Sequence, residues 1–223
     1  MDENMLKCLI AENKYGKYCV PKVSAHRRAA RVVINGNIWE PKTINFLIKN
    51  HNNKSIVHAG TYFGDFLPAL ANLHKVWAFE PNITNWKCAR ETMRLNDIKN
   101  IILINGGLGE KEEEQEMLIE DNIGRHLGGG SRIYKKAIKA KKETVQLFRL
   151  DDVIPITEEI SIIQLDVEKH ELFTLKGAYE LICRCSPILI LESVPNDNWF
   201  TSKILGHGYK KTTMLHQNTV FAK

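Results

Sequence analysis

Lys54 to Asn82 reads KSIVHAGTYFGDFLPALANLHKVWAFEPN, and this stretch decides the fold. Ser55 to Ala59 is a short apolar run that stops at Gly60, after which Phe66, Leu67, Leu70 and Leu73 recur at helical spacing. Lys75 to Phe79 is a second apolar run, and it closes in Glu80. The order is strand, glycine turn, helix, strand. Glu80 falls roughly twenty residues after the turn, the separation between the glycine turn and the ribose-binding acid of a nucleotide-binding βαβ unit. Glycine lets backbone come close to a ligand, and a carboxylate at the next strand tip can accept from both ribose hydroxyls. Gly60-x-x-x-Gly64 is not the Gly-x-Gly-x-x-Gly of dinucleotide sites, so a nucleoside without a pyrophosphate is expected rather than NAD.

Around this unit, 223 residues suit one domain with a real core, and 43% hydrophobic with 26% charged residues is a globular composition. A net charge of +5 favours acidic partners only mildly. The five cysteines are an odd number with no paired Cys-x-x-Cys motifs, as in reduced intracellular proteins. There is no signal-peptide layout and no apolar run of about 18 residues, so a membrane span is not expected and the cytoplasm is the default location. Residues 1–37 form a basic arm with His26, Arg27, Arg28 and Arg31. It is expected to lie over the domain of residues 38–223, the alternatives being a lid on the substrate or an arm of a homodimer.

Downstream, Pro81 and Asn82 begin an amphipathic helix to Asn96, and Ile101 to Asn105 is a third strand. Gly106-Gly107-Leu108-Gly109 follows as a flexible turn at its tip, where open α/β sheets bind ligands, so Gly107 and Leu108 are candidates for contact with an adenine. Glu110 to Glu120 reads as an acidic surface segment. Gly128-Gly129-Gly130-Ser131-Arg132 with Lys135, Lys136, Lys139, Lys141 and Lys142 reads either as an anion-attracting loop or as a solvated, mobile hairpin. Thr144 to Leu150 is an extra strand closing in Asp151-Asp152. Ile160 to Leu165, ISIIQL, has the continuous apolar character of a strand buried on both faces and ends in Asp166-Val167-Glu168. A helix through Leu172 and Ile182 leads to Pro187–Leu191 and Glu192. Glu80, Asp166 and Glu192 thus gather at the strand tips, which marks a polar site.

VHAGTYFGDFLPAL, AFEPNITNWKCARETMRLN, RLDDVI, IIQLDVEKHELFTLKGA and PILILE, in that order, resemble the FkbM family of S-adenosylmethionine-dependent methyltransferases over about Trp39 to Lys223. The resemblance implies a class I methyltransferase fold, Rossmann-like, with a seven-stranded, mostly parallel sheet and helices on both faces. It implies S-adenosylmethionine as cofactor and methyl transfer to a hydroxyl of a sugar, glycan or related natural product. Gly60 and Gly64 would border the methionine part of the cofactor, Glu80 would hold the ribose, and Asp166 would lie near the sulfonium and the acceptor. His58, Thr61, Tyr62 and Pro81 complete the set of cofactor-binding candidates. Family members usually carry Asp at the place of His58, Asn at that of Tyr62 and Lys at that of Gln164. The acid at position 58 would pair with the cofactor's ammonium; Asp65 or Asp166 could replace it.

Methyl transfer needs alignment and a group to take the hydroxyl proton. Asp166, Glu168 and His170 are the catalytic candidates, at or just past the fourth strand tip. Glu168 and Glu171 could equally serve the dipole of the following helix. No metal is expected, the rival being magnesium on Asp151, Asp152, Asp166 and Glu168. RNA or another nucleic acid is not the expected partner, since no Asn/Asp-Pro-Pro-Tyr/Phe motif follows the fourth strand and no aromatics interleave the lysines. A third alternative is a non-enzymatic binding module with a degenerate cofactor site. Trp199, Phe200 and Tyr209 could line a sugar-stacking pocket or belong to the core.

Overall fold

The computed structural model describes residues 7–133 and 140–223. The chain begins with an antiparallel hairpin, β1 (Cys8–Asn13) and β2 (Gly16–Pro21), followed by α1 (Arg28–Ile34) and α2 (Pro41–Asn50). The βαβ unit comes next as β3 (Ser55–Ala59), the single-turn α3 (Leu67–Leu70) and β4 (Val76–Phe79). α4 (Ile83–Leu95) starts where expected because the side chain of Asn82 accepts from the N–H of Asn85, an N-cap. β5 (Ile101–Ile104) follows.

A smaller sheet interrupts the alternation: β6 (Gly107–Gly109), β7 (Glu113–Leu118), β8 (Arg132–Ile133) and β9 (Lys142–Arg149), in the order β6-β9-β7-β8. The glycine turn after β5 is therefore partly a strand, paired in parallel with β9. The segment read as acidic surface is β7, with Met117 and Leu118 buried. Lys135, Lys136 and Lys139 lie outside the described residues.

α5 (Leu150–Val153) leads to β10 (Ile160–Leu165), α6 (Glu171–Lys176), α7 (Tyr179–Cys185) and β11 (Ile188–Leu191). The single helix expected between β10 and β11 is thus two, divided at Gly177, where a β-carbon would lie 1.9 Å from the carbonyl oxygen of Gly109. The chain closes with β12 (Lys210–Leu215) and β13 (Asn218–Ala222).

The main sheet has seven strands in the order β12-β13-β11-β10-β3-β4-β5. β11, β10, β3, β4 and β5 run parallel, and β13 is antiparallel to both neighbours. Side chains alternate across it. Val57, Phe79, Ile163, Leu165 and Leu191 face one layer with α5 and α7, while Ile56, Ala78, Ile162 and Ile190 face the other with α2, α3 and α4. Phe200 and Tyr209 belong to this core, and the Tyr209 hydroxyl donates to the carbonyl of Pro187 at 2.8 Å. Trp199 packs edge-on against Tyr179, so these aromatics are structural.

The N-terminal arm packs on α4: the N–H of Cys19 donates to Thr92 Oγ1 at 2.9 Å, and Tyr18, Val20, Ala30 and Val33 share a buried cluster with Phe63 and Cys88. No helix among the described residues is long and apolar enough to cross a membrane.

Candidate functional site

Parallel strands deliver their carboxyl ends to one edge, so the residues just after β3, β4, β10 and β11 meet there. Two cavities open at that edge and share Gly60, Gly129 and Asp166. The first is apolar, walled by Phe79, Leu108, Met117, Ile133, Leu147 and Val167, with Glu80, Pro81 and Gly107 at its polar end. The second, about 150 Å³, is polar and is bounded by His58, Gln164, Asp65, Glu40, Asp166, Glu168 and Glu192, with Arg27, Arg28 and Trp39 from the arm side.

Glu80 sets the first cavity. Its Oε2 accepts the N–H of Tyr62 at 2.7 Å and its Oε1 accepts the N–H of Asn82 at 2.9 Å. Oε1 also accepts from Asn85 Nδ2 at 3.4 Å, so the side chain is held in place while Oε2 keeps a further lone pair with which to accept. Burial pushes its pKa up to about 7, against the pull of the Asn82 and Tyr62 amides. Gly107 sits where a β-carbon would strike Leu147 at 2.7 Å, which keeps this end of the cavity open and tightly packed.

The glycine turn is built around Gly60 and Tyr62, both at positive φ. The Tyr62 hydroxyl donates to Ser24 Oγ at 2.7 Å, which ties the turn to the arm. Gly128 and Gly129 lie against the same ring: β-carbons there would approach Tyr62 to 2.7 and 3.3 Å. The glycine run, read as an anion-attracting loop or a mobile hairpin, is packed on Tyr62, and within it Ser131 Oγ donates to the carbonyl of Gly128 at 2.8 Å. Thr61 and Gly64 line neither cavity. The Thr61 hydroxyl turns back to the carbonyl of His58, and Gly64 backs onto Leu67 and Ala89.

His58 and Gln164 stand opposite each other in register on β3 and β10. His58 Nδ1 is hydrogen-bonded to Gln164 Oε1, its ring stacks on Phe66, and its Nε2 is buried without a partner. Burial lowers its pKa to about 4, so the ring is neutral. Asp65, beside it, is pushed up to about 8 by burial. The place of the family's usual acid is thus taken by a neutral His-Gln pair with an acid one turn away.

At the tip of β10, Asp166 is hydrogen-bonded to Glu192, and burial with the nearby Glu192 charge holds its carboxyl well above the ordinary range. Glu168, at φ 52, is raised by burial and by Glu192. His170 lines the apolar cavity instead, stacked on Phe173. Of the three catalytic candidates, Asp166 and Glu168 border the polar cavity together, while His170 meets Asp166 only on the wall of the apolar one. Asp151 and Asp152 are elsewhere: Asp151 caps α7 by accepting the N–H groups of Glu180 and Leu181, and both pair with Arg149. The four-acid magnesium set weighed from sequence is therefore not assembled.

Sequence reasoning did not place Glu40 and Trp39 in the cavity wall, nor Met117, Ile133 and Leu147 in the apolar one. Their only signal is tertiary. Gln164 carried a usable sign, as one of two polar residues, with Ser161, in an otherwise apolar strand.

Residues 58–211 match the model of the methyltransferase FkbM domain. The chain is similar to the crystal structure of methyltransferase FkbM from Methylobacillus flagellatus KT, with a TM-score of 0.51 and 17% identity over 76% of this chain and 43% of that one. It spans less than half the length of that protein, and the likeness is one of fold. An rRNA methylase from Streptococcus thermophilus gives a TM-score of 0.44 at 15% identity, over 81% of this chain and 93% of that one. A SAM-dependent methyltransferase from Aquifex aeolicus gives 0.46 at 14% identity, over 90% and 96%. No curated protein matches the sequence.

Proposed function

The chain belongs to the FkbM family of methyltransferases, and from that premise we propose that it is an S-adenosylmethionine-dependent O-methyltransferase. Its acceptor is a hydroxyl of a sugar, glycan or related natural product, and it works in the cytoplasm. The observation that supports this most is the pair of cavities joined at Gly60 and Asp166, one apolar and closed by Glu80, the other polar and rich in carboxyls. A nucleoside fits the first in chemistry: apolar walls for a base, and a fixed carboxylate whose Oε2 keeps a lone pair for a ribose hydroxyl. Pro81, Gly107 and Leu108 border the base, and Gly60 with Tyr62 carries the chain past the methionine part. Asp65 and Asp166 are the acids available to its ammonium, and Arg27 or Arg28 to its carboxylate.

Bound there, S-adenosylmethionine supplies a methyl group on a sulfonium, which leaves as a neutral thioether as the C–S bond breaks and the O–C bond forms. This chain's part is alignment and proton removal. Alignment can supply on the order of seven to eleven kcal/mol in ideal cases. The acceptor's hydroxyl proton passes to a carboxylate of the Asp166, Glu168 and Glu192 group. Burial and the nearby Glu192 charge raise the proton affinity of the Asp166 carboxyl, as a base for a weakly acidic alcohol requires.

The test is methyl transfer from labelled S-adenosylmethionine to a panel of sugars, glycans and RNA. Labelled sugar products that Asp166→Asn abolishes support the reading. Labelled RNA, with strongly salt-dependent binding, would replace it with the nucleic-acid alternative.

A further inference from the structure

One oxygen from each of Asp166, Glu168 and Glu192 lies within 4.8 Å of the other two. No lysine or arginine among the described residues comes within salt-bridge distance of any of the three; Arg27 and Arg132 act on Glu168 from farther away. Three carboxyls so close, on the wall of a cavity, need protons or a cation to offset their repulsion.

His58 is a second, independent sign of what fills the space. It is 2% exposed and lines the same cavity. With Nδ1 engaged by Gln164 Oε1, the neutral ring presents the lone pair of Nε2, and nothing among the described residues donates to it. A buried acceptor on a residue that lines the same cavity as the carboxyl cluster calls for a donor brought in from outside, and the water molecules of a hydrated cation are such donors.

We propose that Asp166, Glu168 and Glu192 hold a divalent cation of the magnesium or manganese class where the two cavities meet. The donors are all carboxylate oxygens, which select hard cations, and three of them leave the remaining positions of an octahedral ion to water and to an acceptor oxygen. The site draws on Glu192 from the next strand tip instead of Asp151 and Asp152, and so departs from the metal-free expectation of the sequence. Binding of the ion stands independently of the proposed reaction; its use, to hold the acceptor hydroxyl and ease loss of its proton, rests on that reading.

The test titrates the EDTA-treated full chain with Mn²⁺ alone, following loss of the free-ion paramagnetic resonance signal, with S-adenosylhomocysteine binding measured on the same preparation. The expected result is one Mn²⁺ per chain, displaced by Mg²⁺ and raising Tm. Glu192→Gln should weaken it by about tenfold or more, since even loss of an outer partner of a metal ligand costs that much. Asp97→Asn, on the exposed surface, should leave it unchanged. Glu168→Gln gives the same readout should Glu192→Gln fail to fold. A wild-type protein that binds S-adenosylhomocysteine but no Mn²⁺, or a folded Glu192→Gln that binds Mn²⁺ as tightly as wild type, overturns the cation site and leaves the methyl-transfer reading standing. Loss of S-adenosylhomocysteine binding alone strikes that reading and not the cation.

Discussion

A β-carbon on Gly60 would lie 1.8 Å from the carbonyl oxygen of Asp166. The turn after β3 and the tip of β10 are pressed together here, backbone to backbone, and Gly60 also sits at φ +87. No side chain can give way, so Gly60→Ala must part the two strand ends or strain the turn. The expected loss is about 3 kcal/mol, roughly 10 °C in Tm for a chain of this size. Gly124, at φ +77 with nothing within 4 Å, is the control. Gly124→Ala should cost about 1 kcal/mol from backbone strain alone. Equal melting of the two variants would contradict the packing described.

Asp65 gives a pH-dependent test of the polar cavity. Burial raises its pKa to about 8 from the ordinary value of 3.8, so the folded chain prefers the neutral acid. As pH rises from about 4 to about 8 the unfolded chain ionises this group first, and the folded state loses the corresponding stability. Asp65→Asn removes that loss. The variant should match wild type near pH 4 and exceed it by ~1 kcal/mol or more, about 2–4 °C in Tm, at pH 8 and above. Melting curves across this range check it, and a gap that stays constant with pH would contradict it.

Asp166 and His170 should differ in their kinetic effects. Both line the apolar cavity, but of the two only Asp166 also borders the polar one with its carboxyl cluster. Asp166→Asn should lower kcat by about a hundredfold or more, the usual contribution of a positioned base. His170→Ala should raise KM for the methyl donor with kcat nearly kept. A large kcat loss in His170→Ala would return that residue to the role expected from sequence.

Tyr62 joins the glycine turn to the arm through its hydrogen bond to Ser24 Oγ. Tyr62→Phe leaves the ring under Gly129 and removes that bond together with the longer one, 3.4 Å, to the Ser24 carbonyl. The expected cost is about 1 kcal/mol, with Ser24→Ala costing the same and the double variant no more than either. Additive losses in the double variant would show that the two groups do not depend on each other.

The parallel strands were legible because they are buried on both faces: SIVHA, VWAF, IILI, ISIIQL and ILIL are apolar throughout or nearly so. Their polar terminations gave the site edge, through Glu80, Asp166 and Glu192. The arm was not legible, because in β1 Leu9 and Ile10 face solvent while Ala11 is buried, so no period of two shows in hydropathy. β7 was masked by its exposed glutamates. The glycines at 128–130 read as an anion-attracting loop or a mobile hairpin, and their packing against Tyr62 is visible only in three dimensions. His58 and Gln164 read as two separate departures from a family pattern; register across β3 and β10 makes them one unit.

The central claim is that the apolar cavity with Glu80 at its end holds the nucleoside of the methyl donor. Calorimetric titration with S-adenosylhomocysteine of wild type and Glu80→Ala tests it most directly. The expected result is one ligand per wild-type chain, with affinity falling as pH drops through about 7, where Glu80 takes up its proton and becomes a weaker acceptor for ribose. Glu80→Ala should lose roughly 1.5–3 kcal/mol of binding, about ten- to a hundredfold in Kd. A wild-type chain that binds neither S-adenosylhomocysteine nor S-adenosylmethionine, or a folded Glu80→Ala that binds as tightly as wild type, would contradict the account.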